Sequence, residues 1–184
     1  MVAGIGHNSG QVDAPGRAWR THVWAKARQE LLPVLPIEVV RTRVKRAQEL
    51  GLPYRTYAGI RASTGHDLIG FMFSSNALHV LRDGEAMPVS RATKLEGLQK
   101  TQRIGLAHRP VSATHLAGLA GLDRAFTAPV FADSWAGMRD TMKDVFAAQA
   151  CSGDRYVMIG DTAFEREWAE AGKMAGYLHA DRFF

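Results

Sequence analysis

The chain is 184 residues long, 46% hydrophobic and 22% charged, with a formal net charge of +5 at neutral pH. That is enough for one domain with a real core, or one domain plus a small appendage, and the balance is that of a soluble globular protein, which excludes fibrous and wholly disordered classes. The single cysteine, Cys151, excludes an internal disulfide and suits a reducing cytoplasm; no apolar run approaches the roughly 18 residues of a membrane span, and the N-terminus lacks the basic start and apolar block of a signal peptide.

The charge is unevenly placed. Residues 1–61 hold ten Lys/Arg against four Asp/Glu, whereas the remaining 123 hold thirteen against fourteen. The whole positive excess therefore lies in the first third, which points to a polyanionic partner. A basic membrane-surface helix is the competing source of such a bias, but the apolar faces here are narrow and poor in large residues.

Residues 1–16 are Gly-rich and polar without periodicity, and read as a disordered arm. Residues 17–32 carry Trp19, Val23, Ala27 and Leu31 on one helical side, and Pro33 and Pro36 separate that helix from the next. From Pro36, Ile37, Val40, Val44 and Ala47 recur at spacings of three and four, with Arg41, Arg43, Lys45 and Arg46 off that face. Gly51 follows at the place of a positive-φ C-cap, and Pro53 opens a second helix with Tyr57 and Ile60 on its apolar side and Gly65 at its end.

These thirty residues, PIEVVRTRVKRAQELGLPYRTYAGIRASTG, resemble the helix-turn-helix family of DNA-binding proteins. Ala47 lies four residues before Gly51 and Ile60 nine after it, as in that family. The resemblance implies that Arg55, Thr56 and Arg61 face the groove; the basic charge of the first helix makes Arg41, Arg43, Lys45 and Arg46 further candidates for nucleic-acid contact. Tyr57 departs from the small aliphatic residue usual there. The segment LPIEVV…AQELGLPYRTY also resembles the helical part of ribbon-helix-helix repressors, which need a preceding alternating strand that Glu30–Val34 supplies poorly. The opening GIGHNSG resembles a tag found on small bacterial proteins of chromosome, plasmid or phage origin. Against these stands the reading of an ordinary helical hairpin with a solvated basic face.

After Gly65 the pattern changes. Leu68–Phe73 reads as a buried strand, with Ala77–Leu81 continuing it or pairing back on it, and Asp83-Gly84 is a turn. Residues 90–101 are a polar helix and Arg103–His108 a second strand. Ser112 caps a small-residue helix through Gly121. Ala125–Phe131 is a third apolar run, which Pro129 demotes to a sheet edge or a loop. Ser134 caps a helix with a stripe of Trp135, Met138, Met142, Val145 and Phe146. Tyr156–Ile159 is a fourth strand, and Thr162 and Glu165 form a capping box for a helix bearing Phe164, Trp168 and Ala171. The expected fold class is α/β: a basic helical segment over 17–65, then, over 66–184, a small Rossmann-like layer of three or four mostly parallel strands with helices.

In such sheets ligands bind at the carboxyl ends of the strands. Those ends carry Ser74, Ser75 and Asn76; His108 and Arg109; Asp133 and Ser134; and Asp161 and Thr162. Ser74, Asn76, Arg109 and Thr162 are the candidates for a phosphate or nucleotide, with helix N-termini assisting. His108, Asp133 and Asp161 are the candidates for acid–base work. Capping explains Asp133-Ser134 and Asp161-Thr162 equally well. The Gly160-Asp161-Thr162 motif resembles the late acidic motif of haloacid-dehalogenase-like phosphatases, but that family also needs an Asp-x-Asp nucleophile motif after its first strand, which is missing here. No Walker loop, GxGxxG, HExxH or CxxC occurs, and the seven histidines show no metal-ligand spacing. No cofactor and no metal are expected.

The functional expectation is a cytoplasmic nucleic-acid-associated protein, such as a DNA-binding regulator or mobile-element accessory factor, whose α/β part serves for homodimerisation or ligand sensing. The alternatives are a small enzyme acting on a phosphorylated or nucleotide substrate, and an adaptor or inhibitor whose basic helices meet an acidic protein. No membrane partner is expected.

Overall fold

A computed structural model describes residues 35–184. The arm over 1–16, the helix over 17–32 and the segment Glu30–Val34 lie outside the described residues. The chain divides between Val40 and Arg41 into two units. Only residues 35–40 of the first are described; the second holds the sheet and the helices around it.

Two helices come first, α1 (Ile37–Glu49) and α2 (Tyr54–Thr64). Gly51 takes φ +62° in the turn between them, and a Cβ there would also come within 2.9 Å of Leu98. Both constraints favour glycine. The rest alternates: β1 (Gly70–Ser74), α3 (Val89–Glu96), β2 (Gln102–Ala107), α4 (Ala113–Ala117), β3 (Arg124–Thr127), α5 (Trp135–Gln149), β4 (Tyr156–Gly160), α6 (Ala163–Ala171), β5 (Gly176–His179) and α7 (Ala180–Phe183). The strands form one sheet in the order β3-β2-β1-β4-β5, and every pairing is parallel.

Strand residues alternate between two buried faces, so each strand reads as a continuous apolar run. Phe71, Phe73, Ala107, Val157 and Ile159 point into one core with Leu50, Leu52 and Tyr57 of the α1–α2 region, Leu95 of α3, Leu116 of α4 and Phe183 of α7. Met72, Ile104, Leu106, Tyr156 and Met158 point into the other, against Met138, Met142, Val145 and Phe146 of α5 and Trp168 of α6. Helices thus cover both faces, the doubly wound arrangement. There are five strands where three or four are expected from the sequence. The fifth, GYLH, has no apolar run to announce it, because an edge strand of four half-buried residues does not need one. Ala77–Leu81 neither extends β1 nor pairs back; it runs through turns. The Pro129 run does end at a sheet edge, with β3 stopping at Thr127. Trp135 stands apart from its stripe and is half exposed.

The helical pair is fastened to the amino ends of β1 and β2. Arg46 donates to Leu68 O (2.8 Å), Lys100 O (3.1 Å), Asp67 Oδ2 (3.2 Å) and Glu49 Oε2 (3.2 Å). The hydroxyl of Tyr57 donates to Asp67 Oδ1 (2.7 Å), and Arg61 lies 3.6 Å from the same carboxylate. Tyr57, the departure from the helix-turn-helix pattern, is buried to hold this anchor. Arg46→Ala therefore lowers stability by about 2 kcal/mol, the scale of hydrogen bonds to a charged group. Urea denaturation tests this, and an unchanged midpoint would mean that Arg46 is a free surface cation.

Candidate functional site

The strand order reverses between β1 and β4, so their carboxyl ends flank the crevice in which open α/β sheets place ligands. Ser74 and Ser75 end β1 and are buried. The hydroxyl of Ser74 accepts from Ala77 N (2.9 Å), and that of Ser75 accepts from His108 N (3.1 Å). Asn76 reaches across the crevice and donates from Nδ2 to Glu165 Oε1 (2.9 Å). Glu165 is fully buried in the first turn of α6. Its Oε2 accepts from Thr162 N (3.0 Å) and from Asp161 N, while Thr162 Oγ1 accepts from Glu165 N (3.3 Å), completing the capping box. A Cβ on Gly160 would come within 2.6 Å of the Tyr177 ring and 2.9 Å of Glu165 Oε2, so glycine is required where β4 ends. Burial, and then the negative charge of Glu165, raise the pKa of the Tyr177 phenol.

Asp161 is not a cap. That role belongs to Thr162 and Glu165, and the Asp161 carboxylate faces His179 Nε2 at 3.6 Å. Asp181 lies 3.5 Å from the other ring nitrogen, Nδ1, which also accepts from Asp181 N (3.3 Å). Donor atoms of Asp161, His179 and Asp181 all fall within 4.8 Å of one another, a set that could hold a cation. Spacing along the chain gives no hint of it, because adjacency of β4 and β5 creates it. Nearby, Arg91 is buried, donates to Ala77 O, lies 2.8 Å from His79 Nε2 and covers the Phe184 ring at 4.4 Å. Burial lowers its pKa, and the charges of Asp161 and Asp181 oppose that shift.

The ends of β2 and β3 carry rings. His108 stacks on Trp168 with centroids 5.9 Å apart and meets the edge of Phe164 at 6.2 Å. Phe164 contacts Trp168 and, outward, Phe131, each at 5.4 Å. Asp133 closes the turn beneath Phe131: its Oδ2 accepts from Val130 N (2.8 Å) and its own N donates to Val130 O (2.9 Å). Ser134 caps α5 through Gly137 N, as its place in the sequence suggests.

The catalytic candidates are thus dispersed into separate roles. His108 is in a ring stack with Nδ1 against Arg109 O (2.9 Å), Asp133 holds a turn, and only Asp161 meets another titratable group. Of the ligand candidates, Ser74, Asn76 and Thr162 are engaged locally, whereas the exposed Arg109 side chain has no bond among the described residues. Of the nucleic-acid candidates, Arg46 and Arg61 serve the Asp67 anchor, and Arg41 is exposed. Thr56 is half-buried. Arg43, Lys45 and Arg55 form no hydrogen bond or ion pair among the described residues. Sequence reading missed Arg91, His179, Asp181 and Phe131; only the exposure of a Phe in a Pro-containing loop was a signal, and it required the fold to be seen.

Comparison with protein-family models, curated proteins and solved structures finds no match to this chain.

Asn76→Asp would set a second carboxylate against buried Glu165. The new group's folded pKa would rise above its unfolded value of about 3.9, so the cost is present above that value and disappears below it. The expected loss is about 2 kcal/mol at pH 7 and near zero at pH 3. Denaturation at both pH values tests this; equal losses would show that the Asn76–Glu165 contact carries no electrostatic weight.

Proposed function

We propose that this chain is a binding protein: its α/β unit takes a small phosphorylated or nucleotide ligand at the carboxyl edge of the sheet without turning it over. One observation carries this reading. At the crevice between β1 and β4, the hydroxyls of Ser74 and Ser75 and the amide of Asn76 are all held in local bonds. A nucleophile needs a base within hydrogen-bond reach; the Ser74 and Ser75 hydroxyls are instead set against the backbone N–H groups of Ala77 and His108, and the amide of Asn76, which does meet the Glu165 carboxylate, is not a nucleophile. Ser74 and Asn76 also stand where the phosphatase resemblance would require its Asp-x-Asp, beside the Gly160-Asp161-Thr162 turn. The edge keeps features of a ligand site: a polar centre around Asp161, His179 and Arg91, the unengaged Arg109, and exposed apolar side chains on the surrounding loops and helix starts, Leu81 with Val89 at the start of α3, and Phe131 with Trp135 at the start of α5. Thermal-shift and calorimetric titration with phosphorylated sugars and nucleotides should show saturable binding with no phosphate release. Turnover at the carboxyl edge would overturn the reading.

A second reading, contact with nucleic acid through α1 and α2, is favoured by the unengaged cations Arg43, Lys45 and Arg55. Phosphate contacts make such binding salt-dependent, with a slope near −0.9 per neutralised phosphate on duplex DNA. Neutralising Arg43, Lys45 and Arg55 together should reduce that slope by about two to three and leave the fold intact. A wild type that retains neither DNA nor RNA at low salt would rule this reading out. Capture of an acidic protein that persists after nuclease treatment would favour the adaptor alternative.

A further inference from the structure

We infer that the ring cluster at the ends of β2 and β3 is a base-stacking subsite, so that the ligand of the carboxyl edge is a free nucleotide; this rests on the ligand-binding reading above. Phe131 is 82% exposed, the most exposed of the large apolar side chains among the described residues. Its exposure is built in. The two Val130–Asp133 hydrogen bonds close the turn that carries it, and the Ser134 cap fixes the next residue to α5. These bonds fix the backbone that presents the ring. It lies against Phe164, which lies against Trp168 and His108, so the outermost ring has a rigid aromatic backing. The Trp168 indole N–H at the inner end of this stack is buried and has no acceptor among the described residues.

Ring faces attract flat π systems, and stacking a base on such a ring contributes on the order of ten- to hundred-fold in affinity by alanine substitution. The charge decides which flat molecule fits. Arg109 follows His108 directly, is exposed, and its guanidinium is without a partner among the described residues. Arg109 follows the end of β2 and Phe131 follows the end of the neighbouring strand β3, so a free cation and an exposed ring belong to one end of the sheet; that combination suits a planar base that carries a phosphate. A neutral aromatic would leave the cation unused.

The test is isothermal titration of the full chain with the four nucleoside monophosphates, their nucleosides, ribose 5-phosphate, inorganic phosphate and a short single-stranded oligonucleotide. Phe131 is exposed, so its variants should fold as the wild type does, which circular dichroism can check. At least one monophosphate should bind saturably. Phe131→Ala should weaken it ten-fold or more, and Phe131→Trp should preserve it. Arg109→Ala should weaken the nucleotide and leave the nucleoside unchanged. If ribose 5-phosphate or phosphate binds as tightly as the nucleotides, or Phe131→Ala changes nothing, the stacking subsite is wrong while the ligand-binding reading stands. If only the oligonucleotide binds, the free-nucleotide assignment is wrong. If no phosphorylated compound binds, both fall.

Discussion

The carboxyl edge of this sheet depends on one buried carboxylate. Glu165 has no contact with water, yet it accepts from two backbone N–H groups at the start of α6 and from the amide of Asn76 at the end of β1. A lone charge in that position would cost several kcal/mol. Three donors and the positive end of the helix offset the cost. The same contacts tie the end of β1 to the turn between β4 and α6, at the point where the strand order reverses. The polar groups at the end of β1 are likewise engaged in holding this region in shape.

Much of the fold is legible in the sequence, because strands buried on both faces appear as apolar runs and helix starts carry their caps. Ser112, Ser134 and the Thr162–Glu165 pair each sit where their side chains cap a helix, and Pro129 correctly marks the end of pairing. β5 is illegible because an edge strand needs neither length nor full burial. The site is less legible than the fold. Asp161 and His179 are eighteen positions apart and meet only because β4 and β5 are neighbours, and Arg91 joins them from α3. Sequence identifies Thr162 and Glu165 as a capping box, but it cannot show that Asp161, beside them, turns to face His179.

The charge pattern illustrates a related gap. Arg41, Arg43, Lys45 and Arg46 look equivalent along α1, since all lie off its apolar face. In the fold Arg46 is a strap with four acceptors, whereas Arg43 and Lys45 have none among the described residues. A run of like charges is therefore not a unit, and a basic stretch contributes to recognition only through those members that the fold leaves unoccupied.

The Asp67 anchor has a consequence for how two partners would coexist. It joins α1 and α2 to the residues just before β1 and β2, and the polar crevice opens at the other ends of the same strands. The two surfaces are thus separated by the length of a strand, about 16 Å for five residues at 3.3 Å each. Neither occupant would block the other. Communication between them has routes along β1, which begins just after Asp67 and Leu68 and leads to Asn76, and along β2, which follows Lys100 and leads to His108, as well as through the core that Leu50, Leu52 and Tyr57 share with both strands.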